Sequence, residues 1–284
     1  MSDRRQLNVE IFEDTELQCK KHPVLTQEVS EATKKQQIIL ETDALSVPKE
    51  KRYKKTEVIV SMKRSLEAAK AYRGKTVCVH NFASATTPGG GVTRGSSAQE
   101  ECLCRCSTLY FNLNTKECWD GFYGPHRAMR YPVYNDDCIY TPNVVVLKSD
   151  TDFPFIMPET EWYKVNILTC AAPNLRPMPS NLMNPNAGSK PVKLKNSELL
   201  ELHLKRNRRI LDIAAANGNE VVILGAFGCG AFQNPPEVVA ECYKQLMREY
   251  DGVFETVEFA VYCSEWDKRN YEVFARTLRG GKAG

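Results

Sequence analysis

The sequence predicts an α/β fold, a three-layer α/β/α domain with a mixed sheet and a helical extension at its N-terminus. Three observations predict it. From Val58 onward, short apolar runs alternate with stretches of helical periodicity. The apolar runs are continuous, which is the pattern of strands covered on both faces. Glycine-rich turns follow two of those runs, at the strand ends where open α/β sheets bind ligands.

In chain order, residues 1–40 are charged and helical in pattern. Leu7, Ile11, Phe12 and Leu17 form one apolar stripe, Pro23 ends the segment, and a second helix covers Thr26 to Gln36. Val58–Val60 is a strand, Met62–Tyr72 a helix and Thr76–Phe82 a buried strand. Ala98–Leu113 reads as one helix, with Leu103, Cys106, Tyr110 and Leu113 on a common face. Lys116 to Pro142 is loop-rich, and long irregular segments in compact domains are often functional. Val144–Leu147 and Val165–Thr169 are strands, and Pro173–Pro191 is a long polar loop. A helix covers Asn196–Asn217, closed by Gly218. Then come a strand at Val221–Leu224, a helix at Pro235–Tyr250, a strand at Thr256–Cys263 and a helix at Asp267–Leu278. Residues 1–56 are expected as the extension, 57–279 as the main domain and 280–284 as a disordered tail.

Composition excludes several classes. A length of 284 residues with 42% hydrophobic and 26% charged residues suits a soluble globular chain. A net charge of +3 is too small to argue for nucleic acid or membrane. The N-terminus lacks an apolar signal core, and no run is long enough to span a bilayer. The 11 cysteines are an odd number and mostly sit in apolar runs, so they are expected as reduced thiols in a cytoplasmic protein. Cys102, Cys104 and Cys106 do not share a helix face, and no C-x-x-C or H-x-x-x-H occurs, so no metal site is expected.

The densest chemistry lies between Pro88 and Glu101. Gly89, Gly90 and Gly91 are poor material for a helix or strand interior, but they suit close backbone approach. Gln99, Glu100 and Glu101 then fall in the first turn of a helix. Ser97-Ala98-Gln99-Glu100 fits a capping box, which could account for Glu100. It does not account for Glu101, about 100° further round the helix.

A second glycine turn, Gly225 to Pro235, follows the Val221–Leu224 strand. Asn234 suits a helix N-cap, with Glu237 completing a capping box. The free N–H groups of such a turn can nest an anion. The spacing matches neither a phosphate-binding Walker loop nor a dinucleotide fingerprint. Phe227 and Phe232 could stack on a ligand or pack into the core. The small residues of Thr169–Pro173 leave room for a ligand, and Asn174 is either a contact or a turn residue. One turn that nests a diphosphate and another that brings up a carboxylate point to a diphosphate-bridged nucleotide sugar.

Gly89–Gly91, seven intervening residues and Gln99-Glu100-Glu101 resemble the GGG-x(6–8)-QEE motif of poly(ADP-ribose) glycohydrolases. Asn81–Ala85 ahead of it and Gly225–Pro235 behind it resemble the short bacterial-type members. The resemblance covers about Arg5 to Leu278, while Thr115–Pro142 and the loop near Pro185 look individual. It implies a macrodomain that binds ADP-ribose across its strand ends and cleaves the ribose–ribose O-glycosidic bond from the polymer end. Glu101 would be the catalytic acid, with Glu100 orienting ribose hydroxyls. Asn81, Ala83, Gly89, Gly90, Gly91 and Gln99 would bind substrate. Gly228, Cys229, Gly230, Ala231 and Phe232 would wrap the diphosphate. The expected partners are poly(ADP-ribose) or an ADP-ribosylated macromolecule, with ADP-ribose as product and no cofactor. The chain is expected to be monomeric. The N-terminal helices and Tyr262 are candidates for the adenine by position. The alternatives are a macrodomain that reads ADP-ribose without turnover and a hydrolase of a mono-ADP-ribosyl linkage.

Overall fold

The computed structural model describes residues 3–45, 50–182 and 184–278. The expectation for the tail, 280–284, lies outside the described residues. Two helices open the chain, α1 (Asp3–Lys21) and α2 (Pro23–Lys35), followed by a short strand β1 (Gln37–Ile39). Then come β2 (Glu57–Ser61), α3 (Ser65–Lys70), β3 (Val77–Phe82), α4 (Gln99–Cys106) and α5 (Leu109–Leu113). Two short helices, α6 (Lys116–Cys118) and α7 (Gly124–Met129), flank a wide turn and precede β4 (Cys138–Val146) and β5 (Tyr163–Cys170). The chain closes with α8 (Asn196–Ala216), β6 (Val221–Leu224), α9 (Pro236–Glu249), β7 (Thr256–Ala260) and α10 (Arg269–Leu278).

Among the described residues, seven strands form one sheet in the order β1-β4-β5-β3-β6-β7-β2. Neighbours from β5 through β2 are parallel, and the β1/β4 and β4/β5 pairs are antiparallel. The sheet is therefore mixed, as expected. It is covered on both faces. One core packs Cys78, Val222 and Phe259 against Ile210, Leu211, Val239 and Phe274 of α8, α9 and α10. The other packs Val79, Ile167 and Ile223 against Phe12, Leu66, Leu103 and Leu109 of α1, α3, α4 and α5.

Several elements differ from expectation. The helix over 98–113 breaks at Ser107, whose backbone is extended at φ −144, ψ 175. Ser107 bridges Val146, and Thr108 N–H donates to the Val145 carbonyl at 3.0 Å, so pairing with β4 displaces the helix there. β4 begins before Pro142, inside the expected loop. The register with β5 shifts between Thr141 and Val144, and this bulge accommodates a proline that cannot donate to the ladder. Gln37–Ile39 fall in the segment expected to be helical in pattern, and instead pair with Cys138–Tyr140 at the sheet edge. The second helix starts at Pro23, where a missing N–H costs nothing. β7 stops at Ala260 rather than Cys263. The buried stripe of α1 is Asn8, Phe12, Thr15 and Cys19, while Leu17 is exposed. That stripe is partly polar because it faces backbone. Asn8 Nδ2 donates to the Gly95 carbonyl at 3.0 Å, and Thr15 Oγ1 to that of Arg105 at 2.6 Å.

Candidate active site

The carboxyl ends of the parallel strands open into a cleft of about 690 Å³, within the size range of ligand pockets. Phe82, Ala172, Ala226 and Ala260, at or just beyond the ends of β3, β5, β6 and β7, line it. The first turn of α4 and the glycine turn after β3 form one wall.

Gln99 fastens that wall to the sheet. Its Nε2 donates to the His80 carbonyl at 2.8 Å, and its Oε1 accepts from Phe82 N–H at 2.9 Å. The side chain thus pairs with the β3 backbone much as a neighbouring strand would. Glu100 and Glu101 follow at a fixed height above the sheet, and both are buried.

Glu100 Oε2 accepts from Ser84 N–H at 2.7 Å, and its Oε1 from Asn81 Nδ2 at 3.3 Å. Glu101 Oε1 accepts from Gly91 N–H at 2.8 Å. Glu101 Oε2 is buried and has no hydrogen-bond partner among the described residues. Burial raises the pKa of both carboxyls, and for Glu100 the adjacent charge of Glu101 adds to it. The hydrogen bonds from Ser84, Asn81 and Gly91 pull the other way and are outweighed. Both acids therefore hold their protons to higher pH than a solvated glutamate.

The capping box expected over Ser97–Glu100 is not formed. Ala98 is the N-cap, whose methyl group can accept no bond, and Glu100 points to the Ser84 turn instead of back along its own helix. Asn234 is likewise not the N-cap of α9; Pro235 is. Asn234 instead ties the second glycine turn together. Its Nδ2 donates to the Pro173 carbonyl at 2.7 Å and the Gly228 carbonyl at 3.1 Å, and its Oδ1 meets His203 Nε2 at 3.0 Å. Gly228 itself has φ +77, and a Cβ there would meet Asn234 Nδ2 at 2.6 Å. Phe227 is fully buried against His80 and Phe82 and belongs to the core. Phe232 is half-buried and lines the cleft. Asn174 is a turn residue: its side chain bonds Arg176 N–H and the Pro179 carbonyl.

Ala83, Gly90, Gly91, Gln99, Glu100 and Glu101 line the cleft from one side, and Gly228, Gly230, Ala231 and Phe232 from the other. Three expected binding residues do not reach the lining. Asn81 lies behind Glu100 and also bonds Thr169, Gly89 packs against Tyr110 and Cys104, and Cys229 packs against the sheet core. Their places are supportive because each side chain or α-carbon faces protein rather than the opening.

Sequence reading missed a second set of lining residues. Arg4 and Asn8 reach the cleft from α1, and Arg64 from the start of α3. Asp150, Asp152 and Phe153 come from the segment after β4, and Arg176 and Asn184 from the long loop after β5. Arg64 lies 3.8 Å over the Tyr262 ring, so Tyr262, expected by position, is indeed at the cleft. No linear spacing links these residues; the length of the loop after β5 hinted at Arg176 and Asn184, and the N-terminal helices were candidates by position only.

Mixed sheet, glycine turns at the strand ends and paired buried acids at a helix start together define a macrodomain-like protein with an acid-bearing cleft. A model of the microbial-type PARG catalytic domain matches residues 6–149, and the chain belongs to that family. It is 29% identical to the poly(ADP-ribose) glycohydrolase of Thermomonospora curvata, with a TM-score of 0.77 over 98% of this chain and 100% of that one. A structure of that protein bound to the inhibitor ADP-HPD matches at 29% identity and a TM-score of 0.77, over 97% of this chain and 99% of that one. The Deinococcus radiodurans poly(ADP-ribose) glycohydrolase in complex with ADP-ribose is 30% identical, with a TM-score of 0.68 over 90% of this chain and 92% of that one. No curated protein matches the chain.

Proposed function

We propose that this chain hydrolyses the ribose–ribose O-glycosidic bond of poly(ADP-ribose) and releases ADP-ribose. The observation that carries the reading is the carboxyl of Glu101. One oxygen is fixed by Gly91 N–H, and the other is buried at the cleft with no partner of its own. Such a group is held in place, keeps its proton to higher pH than a solvated glutamate, and has one oxygen unspent.

Glycosidic cleavage needs a proton on the leaving oxygen and support for an oxocarbenium-like state. Glu101 donates its proton from Oε2 to the leaving ribose oxygen, and the C–O bond breaks with its electron pair going to that oxygen. Water then attacks the anomeric carbon and gives its proton to the Glu101 carboxylate, which restores the acid. Glu100 holds the neighbouring ribose hydroxyls, fixed in turn by Ser84 and Asn81. Gly90 and Gly91 bring backbone against the sugar, and Gly228–Phe232 takes the diphosphate.

End-wise cleavage is part of the proposal. It is supported by the loop after β5, which is tied down beside Phe232. Asn184 bonds Ser84, Thr86 and Tyr134, and Arg94 donates to the Leu182 carbonyl. The reading takes residues 57–279 as the catalytic unit and 1–56 as its extension, in a cytoplasmic monomer. The unpaired state of all 11 cysteines supports the reducing compartment. Among the described residues, no helix is long and apolar enough to cross a membrane.

The test is Glu101→Gln. It should bind ADP-ribose as the parent does and lose roughly 10²–10⁴-fold in polymer turnover, the range for a general acid. A variant that degrades polymer at near the parental rate would remove the assignment. A panel of mono- and poly-ADP-ribosylated substrates tests the linkage.

A further inference from the structure

We propose that Arg176 is the cationic clamp for the diphosphate, presented to the cleft by the individual, proline-rich loop after β5. The inference rests on the reading of the cleft as an ADP-ribose site and adds a charge that the glycine turn lacks.

Four arginines line the cleft among the described residues: Arg4, Arg64, Arg105 and Arg176. Arg4 and Arg64 converge on Asp152, and Asp150 also acts on Arg64, so two carboxylates face these two arginines. Arg105 is buried against the Ser96 carbonyl, and its field acts on Glu101. Arg176 forms no ion pair with an acid among the described residues.

Its guanidinium is nevertheless held in place. Nε donates to Asn174 Oδ1 at 3.2 Å and Nη2 to the Pro179 carbonyl at 2.6 Å. Nη1 has no partner among the described residues. The group lies 5.8 Å from the centre of the Phe232 ring, and Leu175 N–H next to it donates to the Phe232 carbonyl at 3.0 Å. A pre-oriented guanidinium with one free edge thus stands beside the Gly228–Phe232 turn.

The physical need for it is plain. Backbone N–H groups of a nest carry only partial charge. A diphosphate carries full negative charge, and burying charge without a partner is expensive. Arginine fits phosphate oxygens in a fixed fork, and a fork already braced by two bonds loses little freedom on binding. Burial also lowers the hold of Arg176 on its proton, a cost that a neighbouring phosphate would offset.

A purely structural role, bracing the loop, predicts different behaviour. The experiment titrates ADP-ribose and adenosine by calorimetry into the full chain and into Arg176→Gln and Arg176→Lys, at low and high salt. Expected for Arg176→Gln is a loss of ADP-ribose affinity of roughly 10–100-fold, typical of a charge-assisted hydrogen bond. Adenosine binding should not change, the salt dependence of ADP-ribose binding should flatten, and Arg176→Lys should recover part of both. An equal loss for the two ligands would make Arg176 a loop brace and overturn the proposal, as would no loss at all. Polymer turnover by the parent protein is assayed separately. A parent that releases ADP-ribose, with Arg176→Gln binding as tightly, sinks the clamp alone. A parent that binds ADP-ribose through Arg176 without turnover sinks only the hydrolase reading.

Discussion

A methyl group on Gly90 would lie 2.6 Å from Glu101 Oε1 and 3.1 Å from Glu100 Oε2. The glycine is therefore the space that the two carboxyls occupy. Its φ of +55 adds a backbone reason for the same residue.

Gly90→Ala should disturb the acid pair more than the fold. The left-handed backbone costs roughly 1–2 kcal/mol for a residue with a Cβ. The clash must push Glu101 off its bond to Gly91, and a displacement near 1 Å can cost about 10²-fold in rate. Polymer turnover should fall by that order while the melting temperature drops by only a few degrees. Unchanged turnover would show that the carboxyl position is not critical.

The raised pKa of Glu101 sets the direction of the pH profile. The acid step needs its proton, so kcat should fall as pH rises through its elevated value, not at the 4.5 of an ordinary glutamate. Steady-state rates across pH should show an alkaline limb that vanishes in Glu101→Gln. Stability follows the same sign. A carboxyl whose folded pKa lies above its unfolded one stabilises below the unfolded value and loses that contribution as pH rises through the folded value. Glu100→Gln should therefore flatten the alkaline decline of thermal stability, read by melts between about pH 5 and 9. A slope as steep as the parent's would assign the decline to other groups.

Gln99→Ala removes both bonds from α4 to the backbone of β3 at His80 and Phe82. Leaving those groups unpaired should cost roughly 1–3 kcal/mol. Because the same bonds set the height of the acids, kcat should fall with stability. Urea unfolding and turnover measured on one preparation would reveal a variant that loses neither.

His80→Leu should stabilise the protein. The ring is fully buried between Phe82 and Phe227, and neither nitrogen has a partner among the described residues. Burial pushes its pKa down to about 3, so it is neutral at any working pH. An apolar side chain of similar size removes the unpaired groups and should add about 1 kcal/mol. A lower melting temperature would show that the ring makes an interaction the imidazole alone supplies.

Much of this architecture was readable along the chain. Continuous apolar runs such as Val221–Leu224 mark strands without tertiary help, because a strand covered on both faces has no polar side to show. Gly89–Gly91 with Gln99–Glu101 marked the site, because a local turn and a local helix start place those residues together. β4 was half-hidden because Pro142 sits in a bulge, and β1 because three residues do not make a period.

What the sequence determined by itself is the set of short-range objects: the strands, the two glycine turns, and the acids in the first turn of a helix. Only the tertiary structure decided what those acids do. The Glu100 carboxyl could have closed a capping box, and it binds Ser84 instead because β3 lies within reach. Arg4, Arg64 and Arg176 come from segments far apart in the chain and meet at one cleft. Burial, and with it the raised pKa of Glu101, depends on the whole packed sheet, and long-range packing leaves no spacing in a sequence to read.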